Sequence, residues 1–141
     1  MSTTESNPSV ESKALEQVTQ IANDLVEHCN TEPADGDPIA HDAKIWDKHF
    51  AASWDSVESD GKTFTGRDAV IGKYHWWMDT FECHSAKAVG PYVGPDGFSV
   101  IFEMDIEAKD GSMPRMQMQE IANYTVENGK ITREHFRGPP C

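Results

Sequence analysis

The chain has 141 residues, a formal net charge of -12 and a charged fraction of 26%. That length builds one hydrophobic core but not two. The acidic balance excludes a nucleic-acid or anionic-membrane surface, which needs clustered Lys and Arg, and no apolar run approaches the roughly 20 residues that span a bilayer.

The first residues, MSTTESNP, are small and polar with nothing to bury, which predicts a disordered tip over 1–8 ahead of a single domain over 9–138. Leu15, Val18, Ala22, Leu25 and Cys29 then recur at helical spacing, with Val26 widening the stripe, so an amphipathic helix is expected over 9–30. After the loop TEPADGDP, Asp37 and Pro38 supply an N-cap and a first-turn proline for a second helix whose stripe is Ile39, Ala43, Trp46 and Phe50. Residues 51–59 read as a short strand with Trp54, Ser56 and Glu58 on one face and Asp55 and Val57 on the other. Thr65 and Asp68 have the spacing of a capping box, opening a third helix marked by Val70, Tyr74, Trp77 and Phe81, with His75 and Trp76 on its flank.

From Cys83 the pattern is all strand. One is expected over 83–93, and a turn at Gly94-Pro95-Asp96-Gly97 leads to another over 98–107. There Phe98, Val100, Phe102, Met104 and Ile106 alternate with Ser99, Ile101, Glu103, Asp105 and Glu107. The last two strands close on Asn128-Gly129, the strongest short-range hairpin signal, because both central positions of a type I′ turn take positive φ. A regular two-residue hairpin pairs Val126 with Ile131, Tyr124 with Arg133, Ala122 with His135 and Glu120 with Arg137 on one face, which Met116 and Met118 extend. That mixture of apolar and ionisable groups suits a cavity wall. The opposite face then holds Asn123 with Glu134 and Ile121 with Phe136; with Ile101 these apolar residues predict a homodimer through the outer sheet face.

Three helices followed by antiparallel strands define an α+β protein, the helices covering the apolar face of a strongly curved sheet that closes a cone with an internal pocket. The three cysteines are far apart and form no CxxC, which fits reduced thiols better than a disulfide framework, a single Cys29–Cys83 bridge being the alternative. No charged segment followed by an apolar stretch opens the chain, so a soluble cytoplasmic protein is expected. The six histidines show no HExxH or other metal-ligand spacing. Neither metal nor cofactor is expected.

The stretches FAASWDSVESDGKTFTGRDAVIGKYHWW and YTVENGKITREHF resemble the nuclear transport factor two-like superfamily, and within it the SnoaL-like and ketosteroid isomerase-related proteins. The resemblance covers roughly residues 13–137 and implies a cystatin-like α+β barrel with its pocket at the open end. It places Glu58 at the position of the isomerase base. The isomerases carry an oxyanion-stabilising tyrosine on the first helix, and this first helix has none, although Tyr74 on the third is a substitute. In SnoaL-type cyclases a buried acid works near a histidine, roles that Glu120 or Glu58 with His135 would fill.

The residues themselves point to the same candidates. Glu58 shares a face with Trp54, and a carboxylate against aromatic surface is raised toward neutral pH as a general base; the alternative is a solvated residue before a turn. Glu120 is either a cavity acid or an ion-pair partner of Arg137, and His135 either an acid–base group or a structural histidine. Trp54, Tyr74, Trp77, Phe102, Met104, Met116, Met118 and Tyr124 are the expected ligand-binding residues. The function expected is binding of a small apolar or aromatic molecule, with cofactor-independent isomerase, cyclase or hydratase chemistry by carboxylate and histidine. A non-catalytic ligand-binding or protein-interaction module of the same fold is the alternative.

Overall fold

The computed structural model describes residues 8–139, so the predicted tip lies outside the described residues except for Pro8, which begins the first helix. Helix α1 spans Pro8–Cys29 and buries Val18, Ile21, Ala22 and Leu25, while Leu15 at its open end stays exposed. Asp37 caps α2 (Pro38–His49) by accepting from the amides of Ile39 and Ala40, both at 3.1 Å. This helix buries Ile45, Trp46 and His49. Helix α3 (Arg67–Thr80) departs from the expected capping box: its N-cap is Gly66 with no side-chain cap, and the Thr65 hydroxyl donates instead to Asp55. Local spacing suggested the box, but Thr65 belongs to a short strand paired with Asp55, which takes its side chain away from the helix.

The strands are β1 (Phe50–Val57), β2 (Thr63–Thr65), β3 (Phe81–Gly94), β4 (Gly97–Ala108), β5 (Met116–Glu127) and β6 (Lys130–Arg137). They form one mixed sheet in the order β2-β1-β6-β5-β4-β3, an open cone covered by the helices. Among the described residues only the β1–β6 pair is parallel. On β4 the apolar alternation holds as expected, with Phe98, Val100 and Ile106 buried on the helix side. A Cβ on Gly97 would lie 2.2 Å from the Tyr124 carbonyl oxygen, so only glycine lets β4 approach β5 there. The Asn128-Gly129 turn has positive φ at both positions, 52° and 77°, as the hairpin reading requires.

Beyond that turn the expected register fails. Val126 pairs with Ile131, but Thr125 pairs with Arg133, because Thr132 is an extra residue bulged out of β6. Its hydroxyl donates to Glu127 at 2.7 Å. The slip of one residue reverses the rest of the strand: Tyr124 now faces Glu134, Ala122 faces Phe136, Asn123 faces His135 and Ile121 faces Arg137. Glu134 and Phe136 therefore enter the cone, and Arg133, His135 and Arg137 leave it. The outer apolar cluster predicted from Ile101, Ile121 and Phe136 loses its phenylalanine, which packs against the core. Cys29 and Cys83 are free thiols, and no helix among the described residues is long and apolar enough to cross a membrane.

Candidate functional site

The inner faces of β1, β5 and β6 and the buried side of α3 bring one ammonium together with three carboxylates. Lys73 follows Val70 by three residues and precedes Trp77 by four, so helical periodicity places it on the core side, where it is only 8% exposed. Its Nζ donates to Ser56 Oγ at 2.6 Å and lies 3.3 Å from Glu58 Oε2. Ser56, fully buried, donates in turn to Glu134 Oε2 at 2.7 Å. The ammonium is further boxed by Phe136 at 5.0 Å and Phe64 at 5.6 Å. A buried lysine is thus satisfied by one hydroxyl, one carboxylate at the mouth and two aromatic faces.

One cation does not neutralise three acids. Burial raises Glu134 above the usual carboxylate range, against the pull of Lys73 and Ser56. Glu120, half-buried on the same face and opposite Phe102, is pushed up to about 7, first by burial and then by the charge of Glu58, with Lys73 opposing. Arg137, the expected partner of Glu120, faces Ile121 instead, and no ion pair joins the two. The indole N–H of Trp54 is buried with no acceptor in hydrogen-bond geometry; it lies against Glu134 and still favours that carboxylate's charged form.

The predicted site residues separate into groups. Glu58 and Glu120 belong to the cluster. His135 does not: it stands on the outer face opposite Asn123, lowered below the usual imidazole range by its surroundings and by Arg137 and Arg133. Trp54 is 1% exposed in the core, its ring 5.0 Å from Phe50 and 5.5 Å from Trp46, so it floors the cluster as packing. Tyr124 stacks on Phe98 at 4.7 Å, and Tyr74 leans on Trp46; burial raises both phenols well above their usual range. Trp77 packs on Phe81. Met104 pairs with Met118, and Met116 pairs with Ile106. These methionines, with Glu103, Asp105, Gln117 and Gln119, line an open groove of about 880 Å³ across β3, β4 and β5.

Sequence reasoning missed Lys73 and Glu134. A lysine on an otherwise apolar helical stripe was a visible signal for the first. Glu134 had none, because its inward position depends on the Thr132 bulge.

Residues 40–137 match the SnoaL-like domain, and the chain belongs to that family. Among solved structures it is similar to a protein from Mesorhizobium loti provisionally named a SnoaL-like polyketide cyclase, at 31% identity over 84% of this chain and 97% of that one, TM-score 0.70. That protein's name also carries a carbohydrate phosphatase label. The fold is shared with a nuclear transport factor two-like protein from Burkholderia xenovorans at 12% identity (89% of this chain and 91% of that one, TM-score 0.66). It is shared also with a protein of ketosteroid isomerase-like fold from Catenulispora acidiphila at 20% identity (86% and 83%, TM-score 0.57). No functionally curated protein matches the chain.

Proposed function

We propose that this SnoaL-like protein catalyses proton transfer on a neutral, mostly apolar small molecule, as an isomerase, cyclase or hydratase, with Glu120 as the group that exchanges the proton. The observation that carries this reading is the surplus of carboxylates: Glu58, Glu120 and Glu134 share one ammonium, and Glu120 is left titrating at about 7. A general acid–base works best when its pKa lies near the working pH, since both of its forms are then populated. Glu58 at the mouth and the buried Lys73 set the field in which it titrates, and Glu134 supplies a second negative charge from behind. The same surplus disfavours phosphorylated or carboxylated substrates, which would add an anion to an under-neutralised acidic site. A phosphatase reading therefore fits poorly here.

A non-catalytic ligand-binding module is the second reading. It is favoured by the placing of the groove, which runs along Met104 and Met118 with none of the three acids in its lining and leaves Trp54 and Tyr124 as core. The reading also includes a homodimer through the outer sheet face, supported by the paired Ile101 and Ile121, and a reducing compartment, supported by the free Cys29 and Cys83. Light scattering that gives a strict monomer at high micromolar concentration rejects the dimer.

The test begins with a thermal-shift screen of neutral aromatic and polyketide-like compounds, followed by turnover of each binder with the unmodified chain and Glu120→Gln. Catalysis predicts product from the unmodified chain alone, with a pH–rate profile inflecting at about 7. Equal binding by both proteins and no turnover by either establishes the module instead.

A further inference from the structure

Behind the acid cluster, where α1 ends and α2 begins, two imidazoles and a carboxylate gather without any role in the chemistry above. His28 stands in the last turn of α1, and His41 and Asp42 stand in the first turns of α2. One donor atom from each lies within 4.8 Å of the other two, and all three side chains are half-buried. We propose that His28, His41 and Asp42 bind one divalent transition-metal ion of the zinc or nickel type.

The geometry is nearest to complete on one edge. His28 Nε2 is 2.9 Å from Asp42 Oδ1, a hydrogen-bond separation that has to open by about half an ångström to reach the roughly 3.4 Å between two ligands each about 2.1 Å from a tetrahedral ion. His41 needs a rearrangement. Its ring stacks on His28 with centroids 3.8 Å apart and planes 12° apart, so the two lone pairs run nearly parallel and cannot meet at a common point. Turning His41 about its last side-chain torsion, a broad and soft one, frees its nitrogen at the loss of one hydrogen bond to the His28 carbonyl, 3.1 Å long. The ion takes the place of the hydrogen between His28 Nε2 and Asp42 Oδ1, and the imidazole then carries its N–H on Nδ1.

The donors choose the ion. Two imidazoles and one carboxylate suit zinc, nickel, copper or iron, whereas magnesium and calcium prefer an all-oxygen shell. Three protein ligands leave a position open for water or a small ligand. Outside them, the Tyr74 phenol stands close enough to Asp42 to feel its charge, the place an outer partner of a metal ligand takes. The three ligands form no sequence motif because they come from two helices separated by a loop.

Chelator-stripped protein titrated with ZnCl2 and NiCl2 by calorimetry is expected to bind one ion per chain with a Kd below about 100 μM, and MgCl2 is expected to give no saturable heat. His28→Gln and Asp42→Asn each abolish binding, and Tyr74→Phe weakens it about tenfold. His84→Gln, at the exposed histidine held between Glu82 and Glu107, leaves it unchanged. In the unmodified chain, Ni2+ broadens the imidazole resonances of His28 and His41 before those of His84 and His135, which settles the location even where a substitution prevents folding. No saturable zinc or nickel binding overturns the site. So does binding that survives His28→Gln, or broadening centred on His84.

Discussion

Glu120 and Asp105 stand on neighbouring strands of the same sheet, yet one is pushed up to about 7 and the other is held below the usual carboxylate range. Asp105 has a cation of its own: the Arg115 guanidinium donates to both of its oxygens at 2.9 Å on the exposed side. Glu120 has water on one side only and shares Lys73 with two other acids. The difference teaches that the chemistry of a carboxylate here is set by how many acids divide one cation and by how much water reaches them, with charge inside raising proton affinity and one-to-one pairing outside suppressing it.

The largest effect is expected at Glu134, since removing it leaves the buried Ser56 hydroxyl without its acceptor and takes a nearby negative charge from Lys73. Glu134→Ala should cost about 3–5 kcal/mol in urea unfolding at neutral pH, and Glu134→Gln clearly less, because the amide still accepts from Ser56. If the alanine costs no more than a change at Asp105, the inner network does not hold the fold.

Next comes the pH dependence of stability. Glu120 rises from 4.5 in the unfolded chain to about 7 when folded, so between those values the folded protein holds more protons. Its stabilising contribution is complete below pH 4.5 and is lost as pH rises through about 7, on the order of 2–3 kcal/mol by linkage. Denaturation midpoints across this window should fall with pH in the unmodified chain and fall less in Glu120→Gln. Asp24, lowered first by its hydrogen bond to His49, has the opposite sign: its stabilisation is present at higher pH and lost as pH falls through its depressed folded value. Asp24→Asn should therefore flatten the acid limb, and an unchanged acid limb would remove Asp24 from the comparison.

Ser56→Ala follows, expected to cost about 1–3 kcal/mol because Glu134 and Lys73 each lose a buried partner. It should also move the titration midpoint of the Glu134 carboxyl to higher pH in an NMR titration, since Ser56 favours the charged form. Smallest of all is Asp105→Asn. Its pair with Arg115 lies at the surface, and the melting temperature should not move measurably; a drop comparable with Ser56→Ala would break the contrast between inner and outer acids.

Much of this was legible without coordinates because it is local. The Asp37 cap, the apolar alternation of β4 and the positive-φ turn at Asn128-Gly129 each depend on a few adjacent residues, and the structure keeps all of them. The inward faces of Glu58 and Glu120 followed from the same period-two alternation. What the tertiary structure decided was everything that needed a second strand or helix to arrive. The β6 strand pairs with β5 on one side and runs parallel to β1 on the other, and the bulge at Thr132 lies where both registers shift. That one extra residue exchanges His135 for Glu134 inside the cone, a choice no alternation within β6 encodes, because a bulge changes register without changing residue pattern. In the same way His28 meets Asp42 only once α1 and α2 have packed, since proximity between separate helices is a property of the folded chain and not of spacing along it.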